Sequence, residues 1–396
     1  MQRNRLRRKI VTWFAMGALF IACSVMFEGA SPIATALAQS SNSLCPDGIL
    51  NVVSLGADGT ATGDTAAFLA AYNAATATSS GCYNVPIFVP GRNTPGFQGQ
   101  PWPGHWPVFT MPVTIEGAGM NSTNFSGDST GWPVFWVQAP NVTFSSFGFW
   151  GSPAVDIKLD SGSEGAVLNN IGCRSSTQTF IYAGATQNIT MTGVISENCG
   201  NTTTLDPGQG GGVVISGCNN VTLTAFESFG AANWALVVLG SQNVTFNGGK
   251  TDYGFAYNMT EPLVFVYNSS VTMTNGFYLS GTNFYELDIT GNSVFVGNNI
   301  AFGGGSNIAS PTPNILFSPT TTSSFTCNNC IFSNSNPSVP YQTPAAFEVA
   351  SSTPVTSTSA TTVATFSPPQ TVITVSSGQT LSVTNTAPTL YDVQVN

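Results

Sequence analysis

The chain has 396 residues, and only 7% are charged, against about 25% in ordinary soluble domains. Its 18 acids outnumber 9 Lys and Arg, and five of those bases lie within the first nine residues. A field of that sign excludes long-range attraction to nucleic acid or an anionic membrane, and it disfavours polyuronate ligands.

The N-terminal bases, Arg3, Arg5, Arg7, Arg8 and Lys9, precede an apolar run over 10–27 that ends in small residues, with Ala36-Leu-Ala38 before Gln39. This is the layout of a bacterial-type signal peptide over residues 1–38, cleaved after Ala38. The run is long enough to span a bilayer, so an uncleaved anchor is the alternative. Lipid modification of Cys23 is less favoured, because Phe20 stands where Leu is usual. Cleavage leaves 17 acids against 4 bases, a net charge of −13 with His105 neutral. The mature protein is then expected outside the cytoplasm, extracellular or periplasmic, and free of the membrane. With so few titratable groups, it is expected to tolerate acid between pH 7 and about pH 4.

Seven cysteines follow the signal: Cys45, Cys82, Cys173, Cys199, Cys218, Cys327 and Cys330. Export permits disulfides, and an odd count leaves at least one thiol over. Cys45–Cys82 would pin the N-terminal segment, and Cys327–Cys330 could close a tight loop. Neither a second Cys pair nor a His-x-x-x-His accompanies Cys327-x-x-Cys330, so no metal and no cofactor are expected.

One helix is predicted, over Thr65-Ala-Ala-Phe-Leu-Ala-Ala-Tyr-Asn-Ala-Ala75, with Asp64 as its cap. Ahead of the strands, it would cover an edge that otherwise templates aggregation. A phrase then recurs: Asn141-Val-Thr-Phe, Asn188-Ile-Thr-Met, Asn220-Val-Thr-Leu, Asn243-Val-Thr-Phe and Ser270-Val-Thr-Met. With a looser member at Ala166, the starts lie 25, 22, 32, 23 and 27 residues apart, the irregular period of coils with variable loops. Alternation of apolar residues with Thr points one face inward, and only stacked coils bury that face. The leading Asn suits a left-handed turn, and stacked Asn side chains can bond along the axis. A β-sandwich also supplies short strands, but it gives no reason for a recurring Asn-Val-Thr. After about residue 305 the repeat decays, and 310–396 is Ser-, Thr- and Pro-rich, reading as late coils and a C-terminal β cap.

Val52-Val-Ser-Leu-Gly-Ala-Asp-Gly59, Thr62-Gly-Asp-Thr-Ala-Ala-Phe-Leu-Ala-Ala71, Val85-Pro-Ile-Phe-Val-Pro-Gly91 and Ile115-Glu-Gly-Ala-Gly-Met-Asn-Ser-Thr123 resemble the N-terminal signature of the pectate lyase superfamily. The resemblance implies an all-β, right-handed parallel β-helix over 39–309 with an N-terminal capping helix, and carbohydrate processing of an unspecified kind. It also supplies motifs to look for. The Asn-x-Asp, Asp-Asp, Gly-His-Gly and Arg-x-Lys elements that polygalacturonase-like hydrolases carry along their coils are missing from the repeats. So are the Asp clusters of calcium-dependent lyases and the Asp-Pro-His of epimerases. His105, in Pro103-Gly-His-Trp-Pro107, lies ahead of the main repeats, and Glu116 reads as local bonding in its Gly-rich loop.

Aligning coils by their starts gives a candidate site. Trp150 falls at offset 9, Arg174 at 8, Glu197 at 9, Glu227 at 7, Asp252 at 9, Lys250 at 7 and Tyr278 at 8. Residues at one offset form a stripe along the stack, with coils about 4.8 Å apart. Glu197, Glu227 and Asp252 are the candidate catalytic carboxylates; Trp150, Arg174, Lys250 and Tyr278 are the candidate substrate-binding residues. Sugar rings stack on aromatics, and glycoside hydrolysis needs two carboxylates, one with its pKa raised by crowding. The expected function is hydrolysis of a neutral or weakly charged polysaccharide, with a non-catalytic carbohydrate-binding or cell-surface structural protein as the alternative. The same stripe also reads as a solvated face on which Arg174 and Lys250 pair with neighbouring acids. Monomer and tailspike-like trimer both remain open.

Overall fold

The computed structural model describes residues 44–304 apart from 46, 93–101, 105, 128–131, 153, 201–209, 231–233, 253–261 and 281–285, together with strands between Ile315 and Val395. The proposed signal over 1–38 and His105 lie outside the described residues. The chain winds as a parallel β-solenoid. One coil runs through Thr143–Trp150 and Ile157–Leu159, the next through Val167–Arg174 and Ile181–Gly184. Each strand pairs in parallel with its counterpart one coil later. Val167 therefore lies beside Thr143 and Thr190, and Ile181 beside Ile157 and Val213. The first strand of each coil bends at a corner into two faces of one sheet; the second belongs to a separate sheet.

Sequence dictates the corners. Asn141, Asn188, Asn220 and Asn243 all have φ between 55 and 57°, so the recurring Asn is the left-handed turn residue its chemistry favours. A second corner uses Ser146, Asn170, Gly193, Ala225 and Gly248, again with positive φ. A third uses Gly151, Ser175, Asn198 and Gly230. Amides link adjacent coils: Asn220 Nδ2 donates to Asn188 Oδ1 at 3.1 Å. The Val-Thr-Phe alternation buries Val142 and Phe144 and leaves Thr143 partly exposed, as the period of two requires. Phenylalanines fill the N-terminal interior, with Phe109, Phe125, Phe135, Phe144, Phe147 and Phe149 fully buried and packed mostly edge-on. Each contributes about 1.5–3 kcal/mol by burial.

A second internal ladder runs through the turn that precedes each Asn. Ser163 Oγ donates to Thr186 Oγ1 at 3.2 Å. The backbone N–H groups of Cys218, Ser241 and Ser269 donate to the hydroxyls of Ser241, Ser269 and Ser293. Cys218 occupies a hydroxyl position in this ladder and is the free thiol among the described cysteines. Burial pushes its pKa up.

The helix spans Ala61–Thr76 and buries Phe68, Ala71, Tyr72 and Ala75 against the first coils. The Phe68 ring lies 5.0 Å from Trp106, and the Tyr72 hydroxyl accepts from the backbone of Thr110 and Met111. The helix thus closes the N-terminal end of the core. Its cap is not Asp64, as expected from sequence, but Thr60, whose Oγ1 accepts from Gly63 N–H. Asp64 sits in the first turn, fully buried; it accepts from Gly59 N–H and pairs with Arg92. The correction follows from helix geometry: a carboxylate one turn inside can still reach back to the entering chain and meet a cation there.

Cys45–Cys82 is bridged as expected, Cys173–Cys199 is bridged as well, and Cys327 is disulfide-bonded to a partner outside the described residues. Past residue 309, Ile315–Pro319, Ser324–Asn328 and Ile331–Asn334 add another parallel coil. Antiparallel pairing of Ala345–Ser352 with Pro388–Val395, and of Ser324–Asn328 with Leu381–Asn385, then ends the parallel register.

Beneath the third corner lies Asp156, with no exposed surface. Ser176 Oγ donates to its Oδ2 at 2.7 Å, and its Oδ1 has no hydrogen-bond partner. Burial raises its pKa from 3.8 to about 8, with the Ser176 and Ser152 hydroxyls opposing the shift. The folded state therefore holds a proton that the unfolded chain releases above pH 4. The stability this provides is complete below about pH 4 and lost as pH rises towards 8. Thermal unfolding is expected to show Tm rising from pH 8 to pH 4, and Asp156→Asn to remove most of that slope; an unchanged slope in the variant would overturn the assignment.

Candidate functional site

The strand registers sort the candidate residues into two files on one outer face. Trp150, Arg174, Glu197, Phe229 and Asp252 are successive neighbours in one. Two residues earlier in each coil, Gly148, Gly172, Ile195, Glu227, Lys250 and Tyr278 form the other. Period-two alternation points the described members of both files outward. Six of the seven predicted residues therefore share a face, but not a single stripe, and Asp252 is placed in the first file by its backbone register.

The differences are corrections of one or two positions. Val167 pairs with Thr143, so the second coil starts at Gly165 rather than Ala166, which returns Arg174 to the Trp150 position. The coil of Ser270 carries one extra residue at its Asn275-Gly276 corner, which sets Tyr278 beside Lys250. Glu227 stands beside Ile195 and Lys250, not between Glu197 and Asp252; Phe229 holds that place. No two of the three carboxylates are rung neighbours, so the crowding expected among them does not arise. The Asp252 side chain lies outside the described residues.

The first three rungs form a cavity of about 200 Å³ floored by Trp150, Arg174 and Glu197 and walled by Met120, Asn121 and Asn124. Arg174 donates through Nε and Nη2 to the same oxygen, Glu197 Oε2, at 2.9 and 2.6 Å. Both side chains are more than one-third exposed, so the pair adds at most about 1 kcal/mol to stability. Its effect is geometric: it fixes both side chains and leaves the cavity formally neutral. The Cys173–Cys199 disulfide lies directly below, joining the residue before Arg174 to the second residue after Glu197. Further along the face, Lys250 Nζ sits 5.4 Å from the centroid of Phe229. Glu227 is exposed, and Tyr278 and Lys250 are partly exposed.

Sequence reasoning missed Met120, Asn121 and Asn124, which arrive from a different coil, and Phe229, uncharged and hidden among 27 phenylalanines. A signal for the first three appears once the second coil is counted from Gly165: Gly148 and Gly172 then share one offset, and stacked glycines mark close approach of another chain segment. Among the described residues, no three His, Cys, Asp or Glu side chains come together as a metal site, and no helix is long and apolar enough to cross a membrane.

No protein-family model and no curated protein matches the chain. Solved structures do. ORF18 of Geobacillus virus E2 is similar over 86% of this chain and 75% of its own, at 14% identity and a TM-score of 0.53. The A-module of mannuronan C-5 epimerase AlgE6 from Azotobacter vinelandii is similar over 72% and 96%, at 12% identity and a TM-score of 0.43. The catalytic domain of a GH87 alpha-1,3-glucanase is similar over 68% and 55%, at 11% identity and a TM-score of 0.37. At such identities the likeness is one of fold alone, the parallel β-solenoid that the strand pairings of this chain form.

The disulfide, rather than the ion pair, is expected to hold this region. Replacing Cys173 and Cys199 by Ser should lower unfolding free energy by about 2–4 kcal/mol. Arg174→Ala should lower it by no more than about 1 kcal/mol in the same denaturant titration.

Proposed function

We propose that the protein is an exported β-helix that binds a neutral or weakly charged polysaccharide along the face of Trp150, Arg174 and Glu197, and hydrolyses it there. The observation that carries the reading is the joint placement of an aromatic, a fixed Arg–Glu pair and a second carboxylate on one face of adjacent coils. Rung spacing of about 4.8 Å and a two-residue offset of about 6.6 Å set Glu197 and Glu227 backbones about 8 Å apart. Their carboxyl groups then fall within reach of the ~6.5–9.5 Å separation that suits inverting hydrolysis.

In this reading the Arg174 guanidinium holds the Glu197 carboxylate in one orientation, and Glu197 acts as the general base on water. Glu227, on the next coil, protonates the departing glycosidic oxygen. Asp252, two coils beyond Glu197, belongs to the same file by its backbone register. Trp150 stacks on a ring at one end; Lys250 and Tyr278 hold the chain at the other.

A second reading, binding without hydrolysis, is favoured by a specific observation. Both Arg174 donors fall on one Glu197 oxygen, and in register Glu197 is flanked by Arg174 and Phe229 and Glu227 by Ile195 and Lys250, rather than by another acid. Such a surface binds well without any acid–base division of labour.

Reducing ends released from a panel of neutral and acidic polysaccharides decide between them. Hydrolysis predicts release by the wild type, a fall in kcat of about 10²–10⁴ for Glu227→Gln and for Glu197→Gln, and a raised KM with kcat preserved for Trp150→Ala. Retained affinity for one polysaccharide with no product from any would establish the binding reading. Neither product nor affinity would end both.

A further inference from the structure

The turn between Thr114–Gly117 and Asn124–Ser126 belongs to an earlier coil, yet it forms one wall of the cavity. It crosses the outer face of the sheet and is strapped down at several points. Gly119 N–H donates to Ser146 O at 2.7 Å, and Gly148 N–H donates to Thr123 O at 2.8 Å. Thr123 Oγ1 accepts from Ala118 N–H and donates to Val89 O, tying the turn to the coil before as well. Gly119 itself has φ of +132°, a conformation that other residues rarely adopt.

Two glycines make room for this turn. Gly148 and Gly172 are rung neighbours. A Cβ at Gly148 would lie 2.6 Å from Met120 O and 2.7 Å from Asn124 Oδ1. A Cβ at Gly172 would lie 3.0 Å from Met120 Sδ and 3.4 Å from its Cγ. In the same file the next coils carry Ile195, Glu227 and Lys250. Side chains are absent at the two rungs where the turn crosses and return on the coils beyond them.

Resting on the polysaccharide reading of this face, we infer that Met120 and its turn convert the open groove into a subsite for a single neutral pyranose ring, held between Met120 and Trp150 over Arg174. A pyranose is apolar on its C–H faces and polar at its rim. The cavity repeats that division, with Trp150, Met120 and Ile195 against Asn121, Asn124 and the Arg174–Glu197 pair. Arg174 spends its charge on Glu197, so a uronate carboxylate meets no free cation there, and the Glu197 carboxylate opposes it. About 200 Å³ is below the ~300–1,000 Å³ of sites for drug-sized ligands, and it suits one ring. Met120 is therefore a specificity-determining residue, supplied by a turn from a coil other than those that carry the carboxylates.

Calorimetric titration of the full-length protein with neutral and uronate oligosaccharides of two to six residues tests this. The neutral series is expected to bind and the uronate series not to. Met120→Ala should weaken neutral binding about tenfold or more, by the same factor for short and long oligosaccharides, because one ring is affected. Gly172→Ala, which displaces Met120 Sδ, should act in the same direction, with circular dichroism and Tm of both variants checked against wild type. Unchanged affinity in Met120→Ala beside a loss in Trp150→Ala would overturn the subsite and leave the groove intact. Preference for uronates would overturn the neutral class. Absence of binding in the wild type would remove the groove reading, and this inference with it.

Discussion

Parallel hydrogen bonding between successive coils is the interaction on which everything else in this molecule rests. It repeats at about 4.8 Å and tolerates no slippage, because a shift of one residue turns every inward side chain out. The chain meets this demand at its corners. Residues with φ near 55° at Asn141, Asn188, Asn220 and Asn243 reset the direction at the same point of each turn, and the loops between corners absorb the differences in length. A residue's place in the register then decides whether it faces the Phe-rich interior, the hydroxyl ladder or solvent. The outer face inherits its chemistry from the same rule, since side chains far apart in sequence become neighbours only through it.

The architecture was legible because it rests on a repeated demand. Asn-Val-Thr states the corner, the inward residue and the outward residue at once, and it recurs often enough to be read without knowing the loops. The outer face was legible only to within a residue or two. Ala166 lacks the Asn that marks a coil start, and nothing in the sequence shows that the coil begins one residue earlier, at Gly165. The coil of Ser270 gains its extra residue at a corner, where no apolar pattern records it. Both shifts are small in sequence, yet each changes which side chain adjoins which. Asp64 departs from its expected capping role for a related reason. A buried ion pair with Arg92 uses the same residue type as a helix cap, and only the fold brings Arg92 near.

Scarcity of charge shapes the candidate site more than its few charges do. Arg174 is held by Glu197 and Lys250 lies against Phe229, so the cations present stabilise local geometry rather than project a field. Recognition on such a face depends on shape, on apolar contact and on neutral donors and acceptors. The Gly148-Gly172-Ile195-Glu227 file shows how one register position can serve unlike ends. Its first members permit a backbone to lie close, and its last presents a carboxylate to solvent.

The placement of Cys218 has a consequence for observing the molecule. Its Sγ stands where neighbouring coils have hydroxyls, close to the Ala183 and Ser216 carbonyls and almost without exposure. A thiol in that position is silent while the stack is closed and becomes chemically visible only when the coils on either side of it part. The middle of the solenoid thus carries its own single-site clock. The rate at which an alkylating reagent finds this sulfur reports how often the stack opens at its centre, independently of fraying at either capped end.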